Sequence, residues 1–192
     1  MNQTIDNGPV WYARAASPIG DLVLTSKASG LTGIYVTGHQ AIEGALATGT
    51  RDDSFFEPVM NELDEYWSGR RRRFTVPIAP DGTPFQLAVW RELVRVPFGE
   101  TISYLSLATR IGRPSAARAV GSANARNPIS IVIPCHRVIG SAGSLTGYAG
   151  GLDKKRWLLA HENAVRNRKT AQSDRRGARA QVGEDARLTS PT

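Results

Sequence analysis

The chain of 192 residues contains one cysteine, Cys135. One cysteine excludes an internal disulfide and any zinc site built from several thiolates, and it fits a reducing compartment. No apolar run approaches the roughly 20 residues that span a bilayer. Met1 to Pro9 is polar and lacks a basic stretch followed by an apolar one, so no signal peptide is expected and the cytoplasm is the expected location. The Walker pattern, GxxxxGK followed by Ser or Thr, is missing, which argues against a nucleotide site of that kind. Internal repeats are absent too.

What is present is enough for a core and for a polyanionic partner. Apolar residues make up 41%, the formal net charge is +7 and the pI is near 10.1. Much of the excess lies in the last stretch, Val165 to Thr192, where seven basic residues against three acidic ones leave +4. That stretch has few large apolar residues and no periodicity, so it is expected to be a disordered tail over 165–192. Basic tails are common, which weakens the charge signal.

Val10 to Ala16, Leu22–Leu24 and Leu31–Val36 read as three strands of a β-meander, with Ser17-Pro18-Ile19-Gly20 as the first turn. Gly38 to Asp53 reads as loop or short helix. Phe55, Phe56, Val59, Met60, Leu63, Tyr66 and Trp67 recur at three-four spacing and predict an amphipathic helix ending near Ser68-Gly69. Arg70 to Arg73 follows, either a solvated loop or a DNA contact. Phe74, Val76 and Ile78 alternate and predict another strand. Residues 80–84 read as a linker between an N-terminal domain (1–79) and a C-terminal one (85–164).

Beyond the linker the pattern is helical. Helices are predicted from Pro84 to Arg95, from a Thr101 or Ser103 cap to Ile111, and from a Ser115 cap to Arg126. The last two, joined through Gly112, form a helix-turn-helix pattern. The third is rich in small residues, which permit close approach either to a neighbouring helix or to a nucleic-acid groove. Arg118 is expected to point outward. A last helix from an Asp153 cap to about Asn163 would end at Glu162.

Cys135 sits in Ile131-Val132-Ile133-Pro134-Cys135-His136-Arg137-Val138-Ile139-Gly140, a buried run at a turn. Two readings of the thiol are open from the residues alone. It is a small buried hydrophobe, or it is a nucleophile activated by the adjacent imidazole.

The second half resembles the O6-alkylguanine-DNA alkyltransferases. The resemblance is carried by Thr101-Ile102-Ser103-Tyr104, Ala116-Ala117-Arg118-Ala119-Val120-Gly121, Asn127-Pro128-Ile129, Pro134 to Gly140, Gly147-Tyr148-Ala149-Gly150-Gly151 and Leu158-Leu159-Ala160-His161-Glu162, in the family's order. It implies an α+β or α/β chain: an RNase-H-like sheet-and-helix domain, then a mainly helical domain with a helix-turn-helix and an active-site loop. It implies direct reversal of damage in duplex DNA, the alkyl group of O6-alkylguanine (and, as a secondary substrate, of O4-alkylthymine) passing irreversibly to Cys135 after base flipping.

The resemblance also assigns roles. His136 is the base, acting through a water, Glu162 orients it, Asn127 organises the turn, and Tyr104 helps rotate the nucleotide and supplies a proton or hydrogen bond at guanine N3. DNA contacts fall on Arg118, Ala119, Ser115, Ala123 and Arg137, in the minor groove. The base pocket falls on Tyr104, Tyr148, the Val138 carbonyl, Ala149, Gly150 and Ile133. No metal and no cofactor are implied: some relatives carry a zinc in the N-terminal domain, and the single cysteine argues against it here. Ala149 stands where some relatives have serine. With no dimerisation element visible, a monomer is expected. Two other classes compete: alkyltransferase-like proteins that bind damage but replace the cysteine, which Cys135 opposes, and a helix-turn-helix transcription factor.

Overall fold

The structure is a computed structural model and describes residues 8–36 and 41–168. In the N-terminal half β1 (Trp11–Ala15), β2 (Leu22–Lys27) and β3 (Gly30–Val36) form the antiparallel meander, and β4 (Thr50–Arg51) joins β1 in parallel, giving the order β3-β2-β1-β4. α1 (Ala41–Thr48) precedes β4. β2 is buried from Leu22 to Ser26, as a central strand covered on both faces must be.

The aromatic stripe forms a 3-10 turn, Ser54–Phe56, and then α2 (Glu57–Trp67), whose Val59, Leu63 and Tyr66 face the core. Their spacing is one helical stripe. Gly69 ends the run with a φ of +76°, and a Cβ there would meet Val165 at 2.8 Å.

The strand expected at Phe74, Val76 and Ile78 does not form. Only Ile78 bridges Leu31, with the Leu31 N–H on the Pro77 carbonyl at 2.9 Å and the Ala79 N–H on the Leu31 carbonyl at 2.8 Å. Pro77 has no N–H to give a ladder. The Thr75 N–H goes instead to the Glu62 carboxylate at 2.8 Å. The alternation reflects side-chain burial along an extended segment, not strand pairing.

The C-terminal half starts with α3 (Pro84–Val94), opened by a capping box in which Thr83 and Gln86 each accept the other's backbone N–H. After β5 (Ile102–Ser103) comes α4 (Tyr104–Arg110), capped by Ser103, which accepts from the Ser106 N–H at 3.0 Å. Gly112, at φ +71°, turns the chain. A 3-10 turn, Pro114–Ala116, leads into α5 (Ala117–Ala125). Ser115 lies inside that turn and caps nothing, because α5 starts after Ala116 without a side-chain cap. The Trp90 indole N–H donates to the Ala123 carbonyl at 2.9 Å and ties α5 to α3. β6 (Val138–Ile139) pairs in parallel with β5.

The last helix, α6, takes in 152–168. It starts before Asp153, which pairs with Arg156 at 2.7 Å and is not the cap. It also runs past Glu162, which is therefore an interior helix residue. The tail expected over 165–192 lies outside the described residues beyond 168.

One apolar cluster joins the halves: Leu24 and Ile34 of the sheet, Leu63 of α2, Leu93 of α3, Val120 of α5, Ile129, Ile133 and Leu158 are all in it. The β3 edge also pairs with the chain just before Cys135. The Ile34 N–H donates to the Pro128 carbonyl at 2.9 Å, and the Ser130 N–H to the Ile34 carbonyl at 3.3 Å. This α+β arrangement, a mixed sheet followed by a helical half, is the expected fold class.

Candidate active site

Between α5 and β6 the chain doubles back, with the Ile133 N–H on the Ile129 carbonyl at 3.0 Å, and leads into Cys135. Asn127 closes the fold-back. Its side-chain N–H donates to the Ile133 carbonyl at 2.8 Å, and its Oδ1 accepts from the Ile129 N–H at 3.1 Å. Within the clamp Ile131 has a φ of +75°, and its side chain is buried. A β-branched residue in that region costs about 1–3 kcal/mol and persists only where the surroundings over-determine it. Asn124 of α5 donates to the Cys135 carbonyl at 3.3 Å. Cys135, His136 and Arg137 then form a 3-10 turn, all three buried.

Glu162 accepts from four residues in three parts of the chain. Oε1 accepts from the Tyr66 hydroxyl at 2.8 Å, from His136 Nε2 at 2.8 Å and from Arg137 Nη2 at 2.9 Å. Oε2 accepts from the Gly99 N–H at 2.8 Å and from Arg137 Nε at 3.0 Å. Arg137 Nη1 also donates to the Val96 carbonyl at 2.6 Å. Burial alone would push the Glu162 carboxyl up. The hydrogen bonds and charges of His136 and Arg137 outweigh it and hold the carboxyl well below the usual range.

An ionised carboxylate only accepts, so His136 Nε2 must carry the hydrogen. The lone pair is then on Nδ1, a buried atom with no hydrogen-bond partner among the described residues. Burial lowers the imidazole's affinity for a second proton, and Glu162 offsets this only in part. His136 is thus a neutral, oriented base beside Cys135.

Burial raises the Cys135 thiol above its ordinary value, while the Asn127 side chain and then the Lys155 charge pull it down. The resting thiol is protonated, so its use as a nucleophile needs a base. Lys155 of α6 is fully buried and donates to the Val138 carbonyl at 2.6 Å and the Thr146 carbonyl at 2.7 Å. Tyr148 lies over the same space, and burial, with Cys135 next, holds its hydroxyl un-ionised. Tyr104 is half-buried. Its hydroxyl donates to the Thr146 carbonyl at 3.3 Å, and its ring lies 3.6 Å from where a Cβ on Gly121 would be. Gly150 packs against Tyr148 so closely that a Cβ would lie 2.9 Å from the ring.

The sequence-predicted residues fall into three groups. Cys135, His136, Glu162 and Asn127 come together, with Ile133 buried beside them and its carbonyl held by Asn127. Tyr104, Tyr148, Val138, Ala149 and Gly150 lie on the β6 and glycine-loop side, where the Val138 carbonyl already accepts from Lys155. Ser115, Arg118 and Ala119 are exposed at the start of α5.

Two DNA-contact expectations are corrected. Arg137 is buried in its ion pair with Glu162 and stacks 5.7 Å from the Phe98 ring, so it presents no cation to solvent. Ala123 is 2% exposed and faces α3. Of the four-arginine run, Arg71 is paired with Glu62 and Glu65, and Arg72 lies over Phe98.

Sequence reasoning missed Tyr66, Gly99, Asn124 and Lys155. Lys155 was findable: with Leu158 and Glu162 it makes a three-four spacing on the buried face of α6. No local signal separates Tyr66 from any other core aromatic, and Gly99 contributes only its backbone.

The chain matches two family models. One, described as the ribonuclease-like domain of 6-O-methylguanine DNA methyltransferase, matches residues 10–80. The other, described as the DNA-binding domain of the same enzyme, matches residues 84–164. A methylated-DNA–protein-cysteine methyltransferase of Methanosarcina barkeri is 46% identical over 159 residues, covering 82% of this chain and 100% of that protein. One from Mycobacterium tuberculosis is 44% identical over 155 residues, covering 81% of this chain and 93% of that one. Among solved structures, the crystal structure of the M. tuberculosis O6-methylguanine methyltransferase superposes with a TM-score of 0.76 at 44% identity, covering 81% of this chain and 93% of that one. A M. tuberculosis relative crystallised in complex with DNA superposes with a TM-score of 0.76 at 42% identity, covering 81% of this chain and 94% of that one.

Proposed function

From the premise that the chain belongs to the methylated-DNA–protein-cysteine methyltransferase family, and so binds DNA and repairs it by moving an alkyl group onto a cysteine, we propose that Cys135 is the acceptor and O6-alkylguanine in duplex DNA the donor. The supporting observation is the pairing of an ionised, fully hydrogen-bonded Glu162 with a His136 whose buried Nδ1 has no hydrogen-bond partner among the described residues, in the residue next to Cys135.

The chemistry is an in-line displacement. His136 takes the thiol proton, through a bridging water as the family resemblance suggests. The sulfur forms a bond to the alkyl carbon, the bond from that carbon to guanine O6 breaks, and its electron pair stays on the base. Guanine takes up one proton, with Tyr104 as the group that supplies it at N3; Tyr104 recovers a proton from solvent as the imidazolium releases the one taken from the thiol, which closes the balance. Glu162 stabilises the imidazolium that forms. The product thioether has no second thiol to resolve it, so each molecule reacts once.

The target atom lies inside the base stack, so the nucleotide must be extruded at a cost of a few kcal/mol. Arg118, Ala119 and Ser115 present the exposed start of α5 to the minor groove, where Arg118 fills the space the base leaves. Tyr104, Tyr148, Ala149 and Gly150 receive the base. The two domains divide at residues 80–84, and the protein acts as a monomer.

Cys135→Ser tests the assignment. It should keep lesion-selective DNA binding and lose all transfer. Residual transfer by the serine variant would move the acceptor elsewhere.

A further inference from the structure

Every site role that the resemblance assigns falls on the C-terminal half, yet a side chain of the N-terminal half touches the Glu162 carboxylate. Tyr66 is fully buried on α2, and its hydroxyl donates to Glu162 Oε1 at 2.8 Å, across 96 residues of chain. The same oxygen accepts from His136 Nε2 at 2.8 Å. Tyr66 and His136 therefore share one carboxylate oxygen. The other donors to Glu162, from Gly99 and Arg137, come from the C-terminal half.

The ring of Tyr66 is fixed independently of the hydroxyl. It packs on Trp67, Phe74, Phe98 and His161 at centroid distances of 4.9 to 5.9 Å. His161, the neighbour of Glu162, has Nε2 2.9 Å from the Tyr66 carbonyl. The phenol is thus aimed at Glu162 from two sides. Its ionisation is suppressed, first by burial and then by the Glu162 charge, so it remains a donor throughout the working pH range.

On the reading that Cys135, His136 and Glu162 carry out the transfer, we infer that Tyr66 is a positioning residue of that relay: its hydroxyl fixes the Glu162 oxygen that orients His136, and it makes the N-terminal half a contributor to the active site. The hydroxyl has two effects. It restrains Oε1 to the position that keeps His136 Nε2–H engaged and so leaves Nδ1 as the ring's acceptor. It also takes up part of the carboxylate's charge, so less of it reaches the imidazole. The other titratable groups facing this relay are Arg137 and Cys135 from the same turn, Lys155 from α6, Tyr148 from the glycine-rich loop and His161 beside Glu162.

The test is Tyr66→Phe, which keeps the ring and removes one oxygen. Single-turnover methyl transfer from an O6-methylguanine duplex is followed from pH 5.5 to 9, with DNA affinity and thermal midpoint measured alongside. Loss of one hydrogen bond to a charged group predicts a plateau rate about tenfold lower. The acid limb of the profile should move to higher pH, because the less neutralised carboxylate raises the proton affinity of His136. DNA affinity should not change. A wild-type rate with an unmoved limb overturns the inference. So does a rate loss with an unmoved limb that tracks weaker DNA binding or a lower folded fraction, because that is the result of a purely structural tyrosine. Failure of the wild-type protein itself to transfer would instead refute the assignment of Cys135, and the two failures are distinct.

Discussion

Replacing Arg137 by Met tests the buried ion pair most directly. The substitution keeps an unbranched chain against Phe98 and removes the only guanidinium within reach of Glu162 among the described residues. It deletes the bonds to Oε1 at 2.9 Å and Oε2 at 3.0 Å and leaves the Val96 carbonyl, held at 2.6 Å, without that donor. Breaking one partner of a buried pair typically costs about 3–5 kcal/mol. For a chain of this length each kcal/mol moves the midpoint by roughly 2–4 °C, so the melting temperature should fall by roughly 10 °C.

The loss should depend on pH, with a definite sign. In the wild type the carboxyl of Glu162 is depressed, so its contribution to stability is present above the unfolded value, about 4.3, and is lost as pH falls toward its folded value. In the variant burial acts on Glu162 without Arg137. The folded variant therefore takes up a proton, on Glu162 or His136, at a pH where the wild type does not. The stability gap should be widest near pH 7.5 and should narrow as pH falls toward 4.5. Guanidinium unfolding at several pH values measures it. A gap below about 1 kcal/mol at pH 7.5, or one that stays constant down to pH 4.5, would refute the reasoning.

Two further outcomes follow from the site. Lys155→Met should move the pH midpoint of Cys135 alkylation by iodoacetamide upward, since the Lys155 charge pulls the thiol down, and transfer at pH 7.5 should slow several-fold with a smaller deficit at pH 9; an unchanged midpoint would separate Lys155 from the thiol. Arg118→Ala should leave the melting temperature within about 1 °C, as exposed substitutions usually do. It should slow transfer from duplex DNA at least tenfold while sparing transfer from the free O6-methylguanine base, and equal losses on both would place Arg118 in the chemistry itself.

Much of the site was legible through the family resemblance, whose motifs are local. Cys135 and His136 are adjacent, Asn127 precedes a proline, and the helix that carries Glu162 has an apolar period. What was not legible depends on burial or on distance along the chain. Arg137 looked like a DNA contact because it is a cation in a basic chain next to the nucleophile, and only its burial against Glu162 shows otherwise. Glu162 was placed at a helix end, but α6 runs on through 168 and buries it. Tyr66 sits in an apolar stripe where tyrosine and phenylalanine read alike, and its partner is 96 residues away. In the sheet, the alternation of Phe74, Val76 and Ile78 predicted pairing that Pro77 and Glu62 prevent.

The central claim is that one alkyl group passes, once, to Cys135. The direct measurement is the intact mass of the protein after mixing with excess duplex DNA containing a single O6-methylguanine, followed by peptide mapping. The account predicts a gain of one methylene, located on Cys135 and saturating at one per molecule. An unchanged mass together with tight, lesion-selective binding would contradict it and leave a damage-recognition protein with an inert cysteine.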